Sequence, residues 1–247
     1  MELGLNDKVA LVTGTASRIG MGRTIALTLA KEGCDVVSAD LDGDGARQTA
    51  DEVKALGRRA ISVKTDVSNQ AEVNAMVKAA LAELGRIDIL VNTAGGTQGA
   101  GPLHQASEEK WQKDIAINFL GSMYCAKAVL PGMMERKSGK IVNLSSGVAI
   151  NGMPGSSSYA GAKAGVIAFT KCLALEVGPV GINVNCLAPT MVMTNFGTHA
   201  TMDPKRAAEM ASRMTLRRLT TVQDVANAVV FLVSEMSSGI TGQVLSF

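Results

Sequence analysis

Short apolar segments rich in Val, Ile and Leu recur along the chain, each followed by a stretch with helical spacing. Lys8–Thr13, Asp35–Ala39, Ala60–Lys64, Ile87–Val91, Lys140–Leu144 and Ile182–Leu187 read as strands, and Gln243–Ser246 as a short seventh. None alternates between apolar and polar residues, as a strand with one wet face does. Both faces must therefore be covered by helices. The pattern specifies an α/β fold, with seven parallel strands in one doubly wound sheet. Predicted helices include Thr24–Lys31, Asn69–Glu83 with Ser68 as its N-cap, a long region from Ser107 to Arg136, and Ser158–Val177. Thr221-Val-Gln-Asp224 reads as a capping box opening a last helix.

A chain of 247 residues suits one large α/β domain, and no linker, repeat or low-complexity stretch divides it. One domain spanning 1–247 is the expectation. The segment Thr190–Thr220 is too long for an ordinary connection and is expected to be a substrate lid. Hydrophobic residues at 47% exclude disorder, and 26 glycines without a three-residue period exclude a collagen-like chain. A net charge of +2 gives no reason to seek nucleic acid or an anionic membrane. The longest apolar run, Val225–Val233, is far short of the roughly 18 residues of a membrane span. Two acids precede the first strand, so no signal peptide is expected. Cys34, Cys125, Cys172 and Cys186 form no CxxC pair and read as buried thiols of a reduced, cytoplasmic protein. His104 and His199 lack any acid at metal-ligand spacing, so no metal is expected.

The first strand runs into Thr13-Gly-Thr-Ala-Ser-Arg-Ile-Gly-Met-Gly22, which opens a helix. Glycine lets backbone approach a pyrophosphate closely, and a helix N-terminus offers unpaired N–H groups. Gly14, Ser17, Arg18, Gly20 and Met21 are the candidate phosphate contacts. Asp40 ends the second strand, where an acid reads the hydroxyls of an adenine ribose. Its charge repels a 2′-phosphate, so NAD is expected rather than NADP. Arg18 is a counter-signal, but Asp40 occupies the place where the choice is made.

Tyr159 and Lys163 lie four apart in a helical stretch and share a face. A phenol ordinarily titrates near 10, and a neighbouring ammonium is expected to favour the phenolate. The pair makes a general acid/base for a hydroxyl group. Ser146 follows the fifth strand, at the sheet edge where ligands bind, and can hold the same substrate oxygen.

These motifs together resemble the classical short-chain dehydrogenase/reductase family over nearly the whole chain. Thr13–Gly22 is similar to its TGxxxGxG loop, Asn92-Thr-Ala-Gly95 to its NNAG motif, and Tyr159 to Lys163 to its YxxxK. The resemblance implies a Rossmann-type fold and hydride transfer between a secondary alcohol or ketone and a nicotinamide cofactor. It puts the catalytic serine on Ser146 rather than Ser145, and on Asn118 a water that relays protons from Lys163. It puts Asp66 and Val67 beside adenine, Asn92, Ala94 and Gly95 beside the cofactor, and Tyr159 and Lys163 at the nicotinamide ribose. Pro189, Val192 and Thr194 are implied near the nicotinamide, and a homotetramer is implied through the helices carrying Asn118 and Tyr159. The chain departs from the family pattern in three places. Five residues separate Gly14 from Gly20 where the family has three, Pro189 precedes Thr190 instead of Gly, and the sequence stops at Phe247 before a glycine-containing tail. A 3-oxoacyl-[acyl-carrier-protein] reductase is the close alternative, and a dinucleotide sensor without turnover the remote one.

The substrate side is read from apolar residues. Met191, Met193, Met202, Met210 and Met214 crowd the lid segment, and Val148 and Met153 follow Ser146. They are weighed against ordinary core filling and taken as pocket lining for a bulky, mostly apolar substrate. Lys205, Arg206, Arg213, Arg217 and Arg218 read as a solvated lid face, with a dock for carrier or coenzyme A phosphates as the alternative. Trp111 reads as a packing anchor.

Overall fold

In a computed structural model, residues 2–97, 101–194 and 204–247 are described. Seven parallel strands form one sheet in the order β3-β2-β1-β4-β5-β6-β7. They are β1 (Val9–Thr13), β2 (Asp35–Asp40), β3 (Ala60–Lys64), β4 (Ile89–Asn92), β5 (Gly139–Leu144), β6 (Ile182–Ala188) and β7 (Val244–Ser246). The helices are α1 (Met21–Lys31), α2 (Gly43–Ala55), α3 (Gln70–Leu84), α4 (Glu108–Ile115), α5 (Gly121–Glu135), α6 (Val148–Asn151), α7 (Ser157–Val177), α8 (Pro204–Arg213) and α9 (Val222–Val233). Every residue of β1 is buried, and its side chains go alternately to two cores. Ala10 and Val12 pack with α1, α2 and α9, whereas Val9 and Leu11 pack with α3, α5 and α7. The absence of in/out alternation thus has the expected cause: helices on both faces.

The strand order reverses between β1 and β4. At such a switch point the outgoing loops diverge and leave a crevice at the carboxyl edge. Thr13 braces it, its hydroxyl oxygen accepting from the Thr93 and Ala94 amides at 3.1 Å each.

Several local features differ from the sequence reading. No helix is read between the second and third strands, yet α2 lies there, opened by Asp42, whose carboxylate accepts from the Asp44 and Gly45 amides. Its buried face is made of Gly45, Ala46, Thr49, Ala50 and Val53, too small and polar to stand out as an apolar stripe. The N-cap of α3 is Asn69, not Ser68. Asn69 accepts from the Ala71 and Glu72 amides, while the Ser68 hydroxyl is held by Asp66 at 2.6 Å. The long predicted helix is continuous but carries a π turn at Ala116–Leu120. Of the four cysteines, Cys172 is exposed rather than buried, and all four are free thiols. No helix among the described residues is long and apolar enough to cross a membrane.

The capping box of α9 is present. Thr221 Oγ1 accepts from the Asp224 amide at 3.0 Å, and Asp224 Oδ2 accepts from the Thr221 amide at 2.8 Å. Arg218 and Thr221 together hold the Asp224 carboxyl well below the usual carboxylate range. Thr221→Ala is expected to lower stability by about 1 kcal/mol, a fall in Tm of roughly 2–4 °C for a chain of this size. Thermal unfolding followed by circular dichroism checks this, with Thr221→Ser expected to stay close to wild type.

Candidate active site

A cleft of about 260 Å³ opens at the carboxyl ends of β1, β2 and β4. It is lined by Gly14, Ser17, Ile19, Gly20, Met21, Gly22, Asp40, Thr93, Ala94, Gly95 and Thr194. Gly14 has φ +73°, and a Cβ on Gly22 would stand 2.1 Å from the Gly14 carbonyl oxygen. The lengthened loop therefore closes on Gly22, and Gly20 is the N-cap of α1, in extended conformation. Its own side-chain cap is missing, so the first N–H groups of α1 face the cleft without a side-chain acceptor from Gly20. That is an anion site built from backbone and helix dipole.

Asp40 closes the far end. Its Oδ2 accepts from the Ala16 amide at 2.8 Å and its Oδ1 from the Asp42 amide at 3.0 Å. Each oxygen keeps a second lone pair for a hydroxyl donor. The residues present thus fit a dinucleotide with free ribose hydroxyls: a glycine cradle, a helix N-terminus and a fixed anionic acceptor.

Some of the expected contacts are elsewhere. Arg18 is exposed and does not line the cleft. The Asn92 side chain points into the interior, donating to the Ser122 carbonyl and to Asn143 Oδ1 at 2.8 Å, so it ties β4 to β5 and α5 rather than reaching the cleft. Asp66 accepts from the Ser68 amide and hydroxyl, fixing the turn after β3, and Val67 is buried against Gly121. Pro189 is buried, its carbonyl accepting from the Gly147 amide. Val192 pairs with Thr220 as an isolated parallel bridge, and beside it Thr194 is buried and lines the cleft. Ile19, Gly22 and Thr93 line it although the sequence reading does not select them. Their signal was position within the two loops, not residue chemistry.

Ser146, Tyr159 and Lys163 come together beside this cleft. Ser145 is buried, its hydroxyl donating to the Lys163 carbonyl at 2.8 Å, so it pins α7 to β5. Ser146 accepts from the Val148 amide and donates to the Tyr159 hydroxyl, which favours the phenolate. Lys163 Nζ donates to the Leu144 carbonyl at 2.8 Å and lies 5.9 Å from the centre of the Tyr159 ring. Burial pulls the Lys163 ammonium down to about 8.

Tyr159 behaves against expectation. Its pKa is raised above the ordinary phenol value, first by burial and further by the charge of Asp114, with the Ser146 hydrogen bond opposing both. Lys163 does not reverse the sign, because a fully enclosed ammonium is itself disfavoured.

Asn118 is completely buried in the π turn. Its Nδ2 donates to the carbonyls of Gly96 (2.6 Å) and Asp114 (2.8 Å), and its Oδ1 accepts from the Gly96 amide. A Cβ on Gly95 would lie 2.7 Å from Asn118 Oδ1 and 3.2 Å from Lys163 Nζ. Gly95 is therefore the gap through which the cleft meets the Asn118–Lys163 pair. The sequence reading missed Asp114, although it lies four residues before Asn118 on a helix and so shares its face.

Val148 and Met191 are half-buried, while Met153 and Met193 are exposed. Leu103 and Ile150, not anticipated, are exposed as well. Met202 and His199 lie outside the described residues. Trp111 is half-buried in α4. On and after α8, Arg213 pairs with Glu209 at 2.7 Å and Arg218 with Asp224 at 2.6 Å. Among the described residues, no group of His, Cys, Asp and Glu could hold a metal ion.

Comparison with known proteins gives this arrangement a family. A family model described as enoyl-(acyl carrier protein) reductase matches residues 14–247. The (2S)-[(R)-hydroxy(phenyl)methyl]succinyl-CoA dehydrogenase subunit BbsD of Thauera aromatica is 41% identical over 98% of the chain and 96% of its own length. The 3-oxoacyl-[acyl-carrier-protein] reductase FabG of Staphylococcus epidermidis is 39% identical over 97% of the chain and 96% of its own. An NAD+-bound xylitol dehydrogenase structure superposes with a TM-score of 0.89 at 29% identity, covering 98% of each chain. The chain belongs to the classical short-chain dehydrogenase/reductase family, a family of oxidoreductases.

Proposed function

We propose that the protein is an NAD-dependent dehydrogenase that interconverts a bulky, mostly apolar secondary alcohol and its ketone. The observation that carries this reading is the convergence of Ser146, Tyr159 and Lys163 next to a glycine cradle that ends in Asp40. NAD is the proposed cofactor, held at Gly14, Ser17, Gly20, Met21, Asp40, Ala94, Gly95 and Thr194. Bound there, it supplies the hydride acceptor. Ser146 holds the substrate oxygen, and Tyr159 takes the hydroxyl proton in oxidation and returns it in reduction. Lys163, held near the Tyr159 ring with a pKa of about 8, can take up or release charge near neutrality as that proton moves. Asn118 fixes the Gly96 backbone beside them and supports the proton path.

Exposed apolar side chains on the segments that follow Ser146 and β6, namely Ile150, Met153 and Met193, support a bulky substrate. The Thauera relative's name describes an alcohol carbon that bears a phenyl group, the same shape class. Both curated relatives are named for thioester or carrier-linked chemistry, so a 3-oxoacyl-[acyl-carrier-protein] reductase is the second reading. Its dock would be the basic side chains of and after α8, but Arg213 and Arg218 already have acidic partners. A sensor without turnover would have no use for the Asn118, Ser146, Tyr159 and Lys163 set. Exposed Leu175 on α7 and Met123 on α5 support a homotetramer built through those helices. The free thiols support a cytoplasmic site.

Tyr159→Phe keeps the ring and deletes the titrating group. Loss of a general acid/base is expected to lower turnover by ~10²–10⁴-fold, with NADH binding little changed. Retention of a tenth of wild-type turnover would remove Tyr159 from this role. On cofactor choice, like charges brought together cost several kcal/mol, and each ~1.4 kcal/mol is tenfold. NAD should be preferred to NADP by about two orders of magnitude, and Asp40→Ser should narrow the gap. Equal use of both cofactors by the wild type would overturn the choice. On the substrate, each added buried CH₂ should contribute about 0.8 kcal/mol, roughly fourfold in kcat/KM, until the pocket fills. A graded ketone series measures this. A requirement for a carrier-linked or coenzyme A-linked substrate, with free ketones inert, would favour the second reading instead.

A further inference from the structure

Asp114 is a completely buried carboxylate in the middle of a helix pair. A buried carboxylate is destabilising unless donors hold it. Its Oδ2 accepts from Ser158 Oγ at 2.6 Å, across the packing of α4 against α7. Its main-chain carbonyl accepts from Asn118 Nδ2 at 2.8 Å. Ser158 precedes Tyr159 in the chain and sits in the first turn of α7. Ser156, the N-cap of that turn, makes no side-chain cap bond, and the turn contains no acid of its own. A helix N-terminus carries partial positive charge, and Asp114 brings the matching anion from the neighbouring helix.

We propose that Asp114 is a positioning residue for the reaction, fixing Tyr159 through Ser158 and the first turn of α7, and fixing Asn118 through its own carbonyl. The proposal rests on the acid/base reading of Tyr159. It has an electrostatic consequence as well as a geometric one. The ionisable groups acting around Tyr159 and Lys163 are Asp114 of α4, Lys163 of α7 itself and the Cys186 thiol of β6. The π turn and α6 contain no ionisable side chain, and Glu108, Glu109, Lys110 and Lys113 of α4 are exposed. On α5, Cys125 is buried with its thiol pushed up to about 12, and Tyr124 is half-buried. The Asp114 carboxylate opposes formation of the Tyr159 phenolate. Removing its charge must lower the pH at which Tyr159 gives up its proton. Alcohol oxidation requires Tyr159 as proton acceptor, so the midpoint of its acid limb must fall too.

Asp114→Asn keeps an acceptor for Ser158 and removes the charge. The pH profile of alcohol oxidation by this variant is expected to keep its shape, with its midpoint shifted to lower pH. Ser158→Ala keeps the charge and deletes the tether. It should lower kcat about tenfold through misplacement of the phenol, with KM for NAD unchanged, and Ser158→Thr should restore it. A role confined to stability would lower Tm in these variants and leave both the midpoint and kcat alone. Wild-type behaviour in both measurements overturns the proposal. Should Asp114→Asn fail to fold, the Ser158→Ala and Ser158→Thr pair decides alone. Tyr159→Phe in the same assay separates the two levels. If it retains turnover, the acid/base reading has failed. If it is inactive while Asp114→Asn and Ser158→Ala match wild type, only the positioning role has failed.

Discussion

A parallel sheet buried on both faces has nowhere to put polar chemistry except at its ends. Here β1, most of β2 and β4, and nearly all of β5 and β6 are buried, so their side chains serve two cores. Backbone donors and acceptors inside the sheet are taken by neighbouring strands. Past the carboxyl ends, where the order turns from β1 to β4, the outgoing loops diverge and leave a crevice. The contact of Gly22 with the Gly14 carbonyl brings α1 close enough for its N-terminus to share that opening. Asp40 ends β2 and Thr93, Gly95 and Ser146 follow strands at this edge, which is why the cleft and the Ser146 side chain lie side by side.

Desolvation then sets the character of the reacting groups. Lys163 and Asp114 are both enclosed, and each survives by hydrogen bonds rather than by a direct ion pair with the other: Lys163 Nζ to Leu144, Asp114 to Ser158. Burial lowers the Lys163 ammonium and raises the Tyr159 phenol, opposite directions for opposite charge types. The two groups are thereby driven apart in proton affinity, whereas in water a phenol and an alkyl ammonium both titrate near 10. On the proposed acid/base reading, a buried phenol stays protonated near neutrality, as ketone reduction requires, and an ammonium near 8 limits the cationic help available for oxidation. Opposed environments of this kind are how one site sets separate acid and base roles.

The fold was legible because its signal is repetitive. Seven short segments rich in apolar residues, separated by helical stretches, pointed to a doubly wound sheet, and each was found within a residue or two of its expected place. What escaped was carried by single polar atoms or small side chains. Helix α2 hides its buried face in Ala, Thr and Gly. Asn92, part of a motif associated with the cofactor, is turned inward by Asn143 and Ser122, which no local pattern announces. The shift of Tyr159 has the same origin: the spacing of Tyr159 and Lys163 identifies the neighbour, but the depth of the pocket and the presence of Asp114 come from packing between α4 and α7. Chemistry in the sequence names the partners, and tertiary burial sets the sign of their interaction.

The same distinction bears on the proposed cofactor. An aspartate at the end of a second strand is a charge in the right place, but a mobile carboxylate could rotate away from a phosphate. Asp40 is not free to do so, because the Ala16 amide holds Oδ2 and the Asp42 amide holds Oδ1. Its orientation is fixed before any ligand arrives, so hydroxyl donors meet a prearranged acceptor with little further ordering. An anion meets the same fixed charge with no low-energy rearrangement to relieve it. Arg18, the cation that would offset this repulsion, is exposed and away from the cleft lining. On the proposed NAD reading, discrimination by Asp40 would come less from its charge alone than from the two backbone amides that keep that charge aimed.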